Sequence, residues 1–159
     1  QLDEPYMQAR PEKAKEFGLE VLNRAVEGIE GKTCVHICFG YAALIHERPE
    51  GYSNLPKLDA ACCNQLSIET AQSNLDCQVL DHLQSKEILL GVIDLSTPEI
   101  ESVETIKARV LRAVTHVHEN QIILAPDCGM KYLPRDSAYG KLCNMVQAAR
   151  ELRKEFSLP

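Results

Sequence analysis

The sequence predicts an α/β fold in which a parallel sheet is covered by helices on both faces. Short runs rich in Val, Ile and Leu alternate along the chain with stretches of helical periodicity. These runs are almost continuously apolar, which is typical of strands buried on both faces. A helix between consecutive strands allows them to lie parallel. The 159 residues are enough for one domain with a sizeable core.

Four full strands are predicted, each bounded by polar or turn residues. They are TCVHICF from Thr33, NQLSIE from Asn64, EILLGVIDL from Glu87 and NQIILAPD from Asn120. Before them, QLDEP at residues 1–5 resembles the last residues of a further strand. The chain is therefore expected to begin in mid-fold.

Four amphipathic stretches predict the helices, and they cover residues 10–31, 70–85, 102–117 and 135–156. In the third, apolar residues recur every three or four positions and predict one buried face; they are Ile106, Val110, Ala113 and Val117. Ser102 is expected to cap this helix, and Gly31 to end the first one.

The composition argues against several function classes. Hydrophobic residues make up 45% of the chain and charged residues 25%, which is ordinary for a globular protein. The net charge of −6 and the scattered Lys and Arg argue against nucleic acid as a partner. No signal peptide and no apolar run of about twenty residues is present, so no membrane association is predicted.

The seven cysteines predict a reducing compartment and a cytoplasmic protein. Their number is odd and they show no framework spacing. Most free cysteines pack as small hydrophobic residues. Cys34, Cys62, Cys63, Cys77 and Cys143 are therefore expected to be inert core residues.

The segment over residues 41–60 breaks the alternation of strands and helices. It follows the first full strand directly and contains Pro49, Gly51 and Pro56. Long loops after parallel strands often carry function. A substrate loop or lid, with a short helix, is therefore predicted here.

Polar residues at the strand ends predict a functional site. In parallel α/β folds these ends form one rim, so residues far apart in sequence converge there. At the rim we expect a candidate substrate-binding pair, Asp3 and Glu4, and a candidate catalytic carboxylate, Asp94. Four further residues are candidate metal ligands: His36, Cys38, Glu69 and Cys128. Their imidazole, thiolate and carboxylate groups suit tetrahedral Zn²⁺ and suit Mg²⁺ or Ca²⁺ poorly.

Several polar residues at the strand ends also have an interpretation that involves no metal. His36 could be a hydrogen-bonded core histidine beside an inert Cys38. Glu69 could be a carboxylate favoured at a helix start. Asp127 could cap the turn that precedes GMKYLP. The residues alone leave these alternatives open, since a His-x-Cys pair is a weak signal.

Several motifs together resemble a known family. QLDEP, VHICFG, LSIETAQS, GVIDLSTP, LAPDCGMKYLPRDSA and NMVQAARELR follow one another as in the C-terminal catalytic domain of cobalamin-independent methionine synthase. The resemblance implies the C-terminal portion of a (β/α)8 TIM barrel across residues 1–159, from about the end of strand four to the last helix. It also implies that the zinc ligands are His36, Cys38, Glu69 and Cys128, and that Asp3 holds the amino group of homocysteine.

The implied activity is methyl transfer to a homocysteine-type thiol in methionine synthesis. In the family, zinc lowers the pKa of the substrate thiol and makes it a thiolate. The methyl group comes from a methyltetrahydrofolate, or in divergent branches from another donor. Glu69, the hardest ligand, is expected to be the one that the substrate thiol displaces. Here Ser96 stands where the family has a proton-donating histidine, and serine is no near-neutral acid.

Two alternatives accompany this prediction. One is the opening of an epoxide by coenzyme M, which uses the same zinc-activated thiol. The other is a non-catalytic zinc-binding fragment, although ligands on three separate strand ends are unlike a structural zinc site. A partial barrel exposes two strand edges, so self-association through those edges is also predicted.

Overall fold

A computed structural model of the chain describes residues 1–39, 52 and 55–159. Within this part, five strands form one parallel sheet in the order β1-β2-β3-β4-β5. The strands are β1 (Leu2–Glu4), β2 (Cys34–Ile37), β3 (Gln65–Glu69), β4 (Glu87–Ile93) and β5 (Ile122–Pro126). The predicted alternation of parallel strands and helices, and the short strand at the start, are confirmed. Most of the predicted loop over 41–60 lies outside the described residues, but a 3₁₀ helix, Leu55–Ala60, occupies its end.

Helices and 3₁₀ turns connect the strands. The α-helices are α1 (Tyr6–Ala9), α2 (Pro11–Lys13), α3 (Leu19–Val26), α4 (Val103–Ala113) and α5 (Arg135–Glu155). A π-helical segment, Ala14–Gly18, joins α2 to α3, so the first predicted helix is present but irregular. It ends at Val26, before the expected stop, and Gly28 takes a φ of 73° in the turn that follows. Glycine adopts that left-handed conformation without a steric penalty.

The prediction of a helix over residues 70–85 is wrong. The structure has only a 3₁₀ helix there, Cys77–His82. Asn74 has a φ of 46°, which interrupts any helical path from the start of the segment. The Asp76 side chain then accepts a hydrogen bond from the amide of Gln78 and starts the 3₁₀ helix. The apolar period of this segment reflects burial of one face without an α-helix.

The core lies between the sheet and the helices that cover it. The inner strands are mostly apolar and mostly buried, with Leu66, Ile68, Ile88 and Leu90 at 0% exposure. On α4, the predicted face is confirmed, because Ile106, Val110 and Ala113 are at most 2% exposed. The helix ends at Ala113, before the predicted end, and Val117 is buried in the segment that follows it. Burial of each large aliphatic side chain contributes about 1.5–3 kcal/mol.

The cysteine prediction holds only in part. Cys34, Cys63 and Cys77 are buried, as expected of inert thiols. Cys62 and Cys143 are exposed. Cys143 lies on the solvent side of α5, where its neighbours in sequence alternate between the packed and the exposed face of the helix. A periodic helix places even an apolar residue outward when its position falls on that face.

The sheet ends at β1 on one side and at β5 on the other, within the described residues. Ile123 of β5 is 40% exposed, whereas the strands inside the sheet are covered. An exposed strand edge with apolar side chains favours pairing with further chain. Self-association through these edges stays a prediction. Among the described helices, none is both long and apolar enough to cross a lipid bilayer.

The start of α4 yields a first testable prediction. The hydroxyl of Ser102 accepts a hydrogen bond from the amide of Thr105 at 3.1 Å, as the sequence predicted. Replacing Ser102 by alanine should lower the free energy of unfolding by about 1 kcal/mol, because an amide of the first turn loses its partner. Urea denaturation would measure this change. Ser102→Asp should restore most of it, and an unchanged midpoint for Ser102→Ala would contradict the capping role.

Candidate metal centre

The four predicted metal ligands come together at the C-terminal ends of the strands. One ligand atom each of His36, Cys38, Glu69 and Cys128 lies within 4.8 Å of all the others. Cys38 directly follows β2, Glu69 is the last residue of β3, and Cys128 follows β5. Residues 90 positions apart are neighbours here because all strands run in the same direction.

His36 is oriented by the neighbouring strand. The parallel register pairs His36 with Ser67, and the Nδ1 atom of His36 lies 2.9 Å from the Ser67 hydroxyl. Its other nitrogen, Nε2, is buried, and no hydrogen-bond partner for it lies within the described residues. That atom lies 3.9 Å from a carboxylate oxygen of Glu69. A ring fixed through one nitrogen, with the other presented to a cluster of anionic groups, is typical of a metal-binding histidine.

The two thiols of the cluster are adjacent. The Sγ atoms of Cys38 and Cys128 lie 3.6 Å apart. Two thiolates on one tetrahedral zinc, each about 2.3 Å from the ion, would lie about 3.8 Å apart. The observed spacing therefore suits a shared metal.

Electrostatics favour charged ligands. The hydrogen bond with Cys38 lowers the pKa of Cys128 from 9.0 to about 4, with help from His36 and against the effect of burial. Burial alone would lower the pKa of His36, but the neighbouring Cys128 and Glu69 outweigh it and raise that pKa. A thiolate at neutral pH is the form that binds a metal.

Glu69 is almost fully buried, at 1% exposure. One oxygen of its carboxylate accepts the amide of Phe39 at 2.9 Å. The backbone amide of Glu69 donates to the hydroxyl of Tyr52, which itself donates to the carbonyl of Ile37 at 3.2 Å. Tyr52 thus links the ends of β2 and β3, and its ring stacks on Phe39 with centroids 4.5 Å apart. Burial raises the pKa of Tyr52 well above 10, so its hydroxyl stays protonated.

The donor set fits zinc by its chemistry. One imidazole, two thiols and one carboxylate are nitrogen, sulfur and oxygen ligands that Zn²⁺ accepts. Two thiols and an imidazole nitrogen fit Ca²⁺ or Mg²⁺ poorly, because those ions prefer oxygen ligands. The interpretation of His36 as an ordinary core histidine is disfavoured, since such a residue would satisfy both ring nitrogens.

The other predicted site residues lie at the same edge of the sheet but outside this cluster. Asp3 is exposed and pairs in register with His36 on β2. The Glu4 carboxylate accepts the amides of Tyr6 at 2.7 Å and Met7 at 3.1 Å, so it caps α1. This contact occupies one of its two oxygens. Substrate binding by Asp3 and Glu4 stays a prediction.

Asp94, the predicted catalytic carboxylate, is held by its own loop. It accepts both the amide and the hydroxyl of Ser96, at 2.8 and 2.7 Å. Its backbone amide donates to Glu101, and its carbonyl accepts from Lys141. Asp94 does not contribute an atom to the four-residue cluster. A catalytic role for it stays a prediction.

Sequence reasoning missed several residues that shape this site. Ser67 carried a signal, because a lone hydroxyl interrupts an apolar strand between Leu66 and Ile68. Tyr52 carried none. For Asp127 the sequence suggests only a possible cap of the turn after it, whereas its carboxylate accepts the amides of residues that follow β3. Burial raises its pKa to about 6, although three amides oppose that effect.

Comparison with known proteins supports the predicted fold. Residues 1–151 match the family described as the catalytic domain of cobalamin-independent synthase. A methionine synthase from Pyrococcus furiosus is 36% identical over 157 residues, which are 98% of this chain and 44% of that protein. Another from Sulfolobus acidocaldarius is 30% identical, over 98% of this chain and 43% of its own length. The chain thus spans less than half of the curated relatives it matches.

A solved structure has the same fold. It is a B12-independent methionine synthase from Shewanella sp. W3-18-1 in complex with selenomethionine, with a TM-score of 0.89 and 27% identity. The match covers 97% of this chain and 48% of that one. This likeness confirms the prediction of a partial TIM barrel.

Proposed function

Since the chain belongs to the cobalamin-independent methionine synthase family, we propose that its four-residue cluster holds zinc and that the protein takes part in methyl transfer to a homocysteine-type thiol. The observation that carries this proposal is the convergence of His36, Cys38, Glu69 and Cys128 within 4.8 Å at the strand ends. Residues 1–159 would then be one catalytic portion of a barrel.

Zinc bound here would lower the pKa of a substrate thiol and favour its thiolate at neutral pH. The chain's own residues would prepare the site for this. Ser67 orients His36 through Nδ1, so that Nε2 faces the cluster. Phe39 and Tyr52 hold Glu69 through its carboxylate and its amide. Glu69 is the ligand expected to give way to the incoming thiol.

Homocysteine carries an amino group that the protein must recognise. Asp3 lies beside His36 in the register of the sheet and is exposed to solvent. We propose that its carboxylate binds this amino group, since a charge-assisted hydrogen bond suits an ammonium ion. The methyl donor would be a methyltetrahydrofolate or another methyl compound. Its binding would draw on residues beyond this part of the barrel.

Cobalt-substituted protein offers a test that does not depend on turnover. Cobalt(II) should bind at the cluster and give sulfur-to-metal charge-transfer absorption, and homocysteine should change that absorption as its thiol joins the metal. Asp3→Asn should weaken homocysteine binding about tenfold or more, because one charged partner is lost. 4-Mercaptobutyrate lacks the amino group, so its binding should be the same in both proteins.

Two outcomes would contradict the proposal. If homocysteine does not change the cobalt absorption, the metal at the cluster does not bind the substrate thiol. An equal loss of affinity for homocysteine and for 4-mercaptobutyrate in Asp3→Asn would show that Asp3 supports the structure of the site and does not bind the amino group. Coenzyme M in the same titration tests the alternative thiol, and its tighter binding would favour the epoxide-opening reaction.

A further inference from the structure

Asp127 lies next to one candidate ligand in sequence and next to another in space. It immediately precedes Cys128 and is only 1% exposed. Its carboxylate accepts the amides of Thr70 at 3.1 Å, Ala71 at 3.0 Å and Gln72 at 2.8 Å. These three amides directly follow Glu69. One side chain therefore connects the ends of β5 and β3.

These two strands are not neighbours in the sheet, because β4 lies between them. The Asp127 side chain passes over β4 at Gly91, which pairs with Glu69 on one side and with Ala125 on the other. A Cβ atom at Gly91 would lie 2.2 Å from Oδ1 of Asp127. The contact across β4 therefore requires a glycine at this position.

The arrangement is stable because it satisfies groups that would otherwise be costly to bury. A buried carboxylate needs several hydrogen bonds, and three backbone amides supply them. The hydroxyl of Thr70 also donates to the carbonyl of Gly91 at 2.7 Å, which ties the same segment to β4. The amide of Asp127 donates to the carbonyl of Ile93 at 3.1 Å. The segments after β3 and β5 are thus fixed to β4 and to each other.

We propose that Asp127 is a positioning residue that sets the distance between Glu69 and Cys128 before metal binds. This inference rests on the proposed zinc site. The sheet alone controls that distance only through β4, whereas the Asp127 carboxylate bridges the two ligand-bearing segments directly. Outer hydrogen-bond partners of this kind hold metal ligands in the geometry that the metal requires.

Asp127→Asn provides the test, because the change conserves shape. If the side-chain oxygen of the new asparagine accepts the backbone amides of Thr70 and Ala71, its NH₂ group must face the backbone amide of Gln72. Two hydrogen-bond donors would then point at each other. We expect zinc affinity, measured by competition with a chelator, to fall by about 10- to 100-fold. The cobalt-loaded variant should also show weaker sulfur-to-metal absorption, since Cys128 is displaced.

Asp59→Asn is the matched control. Asp59 likewise accepts a backbone amide and a hydroxyl, both from Ser85, but outside the metal cluster. It should leave zinc affinity and the cobalt spectrum unchanged. Parent-like affinity and spectrum in Asp127→Asn would overturn the inference. An equal fall in both variants would do the same, because it would show a general effect of lost stability.

Hydrogen exchange keeps the test decisive if Asp127→Asn does not fold. In metal-free parent protein, the amides of Thr70, Ala71 and Gln72 should exchange slowly, because the carboxylate holds them without metal. Exchange at the rate of exposed loop amides would overturn the inference. A parent protein that binds no zinc would instead refute the proposed function, and this would be visible before any variant is compared.

Discussion

Replacing Cys128 by alanine is expected to abolish stable zinc binding. The parent protein should hold about one zinc ion per chain after desalting, and the variant almost none. Cys128 supplies one of two adjacent thiols, and its pKa of about 4 makes it a thiolate at neutral pH. The loss of a direct ligand should exceed the roughly 10- to 100-fold cost of losing an outer partner. His36→Ala should behave in the same way.

Thermal unfolding offers a second measure of the same change. A ligand that binds only the folded state stabilises it, by about 4 kcal/mol at a free concentration 1,000 times its Kd. Zinc should therefore raise the melting temperature of the parent but not that of Cys128→Ala. Cys143→Ala is the control, since Cys143 is an exposed cysteine on α5. Full zinc content in well-folded Cys128→Ala would show that the metal lies elsewhere.

Replacing Lys141 by methionine is expected to lower the free energy of unfolding by about 3 kcal/mol. The Lys141 side chain is 0% exposed, and its ammonium donates to a Glu101 oxygen at 2.8 Å and to the carbonyl of Asp94 at 2.9 Å. Without it, Glu101 keeps a partner in Arg109 at 3.2 Å but lies buried without its strongest one. The loss of Lys141 therefore removes part of the charge that compensates the Glu101 carboxylate, which is costly for a carboxylate with little solvent access.

Urea denaturation would measure this effect, with Lys154→Met as the control. Lys154 lies on the same helix but is exposed, so its loss should change stability by less than about 0.5 kcal/mol. A second replacement, Glu101→Gln in the Lys141→Met background, should recover part of the loss because it removes the buried charge. Equal stabilities of parent and Lys141→Met would contradict a structural role for the pair.

The Lys141–Glu101 pair also predicts how the destabilisation of Lys141→Met depends on pH. Burial raises the pKa of Glu101, but hydrogen bonds from Lys141 and from the amide of Asp94 outweigh it, so the pKa falls below its ordinary value of 4.5. The folded state then keeps this stabilisation above pH 4.5 and loses it as the pH falls through the lowered pKa. The difference in free energy of unfolding between the parent and Lys141→Met should therefore become smaller in acid. A constant difference down to low pH would exclude this cause.

Much of the fold could be predicted from local patterns. The apolar runs identified β2 to β5, and the helical period after Ser102 identified Ile106, Val110 and Ala113 as the buried face of α4. The segment over residues 70–85 shows where such patterns fail. Its apolar spacing suits a helix, but Asn74 adopts a left-handed conformation and the first amides bond to Asp127. A carboxylate from a distant strand competes for those amides, and no local pattern contains that information.

The sequence by itself determined which residues could bind a metal. His36, Cys38, Glu69 and Cys128 are soft or charged side chains at the ends of apolar strands, and parallel strand ends share one edge. Their chemistry and their position on that edge both follow from the pattern.

Only the tertiary structure decided how these residues are held. The parallel register places Ser67 beside His36, and Gly91 leaves the space through which Asp127 reaches the residues after Glu69. Both contacts depend on distances across neighbouring strands, which are set by register and by the absence of a single Cβ atom. Long-range packing of this kind is invisible in a one-dimensional pattern, because the partners are separated by 31 and by more than 50 residues.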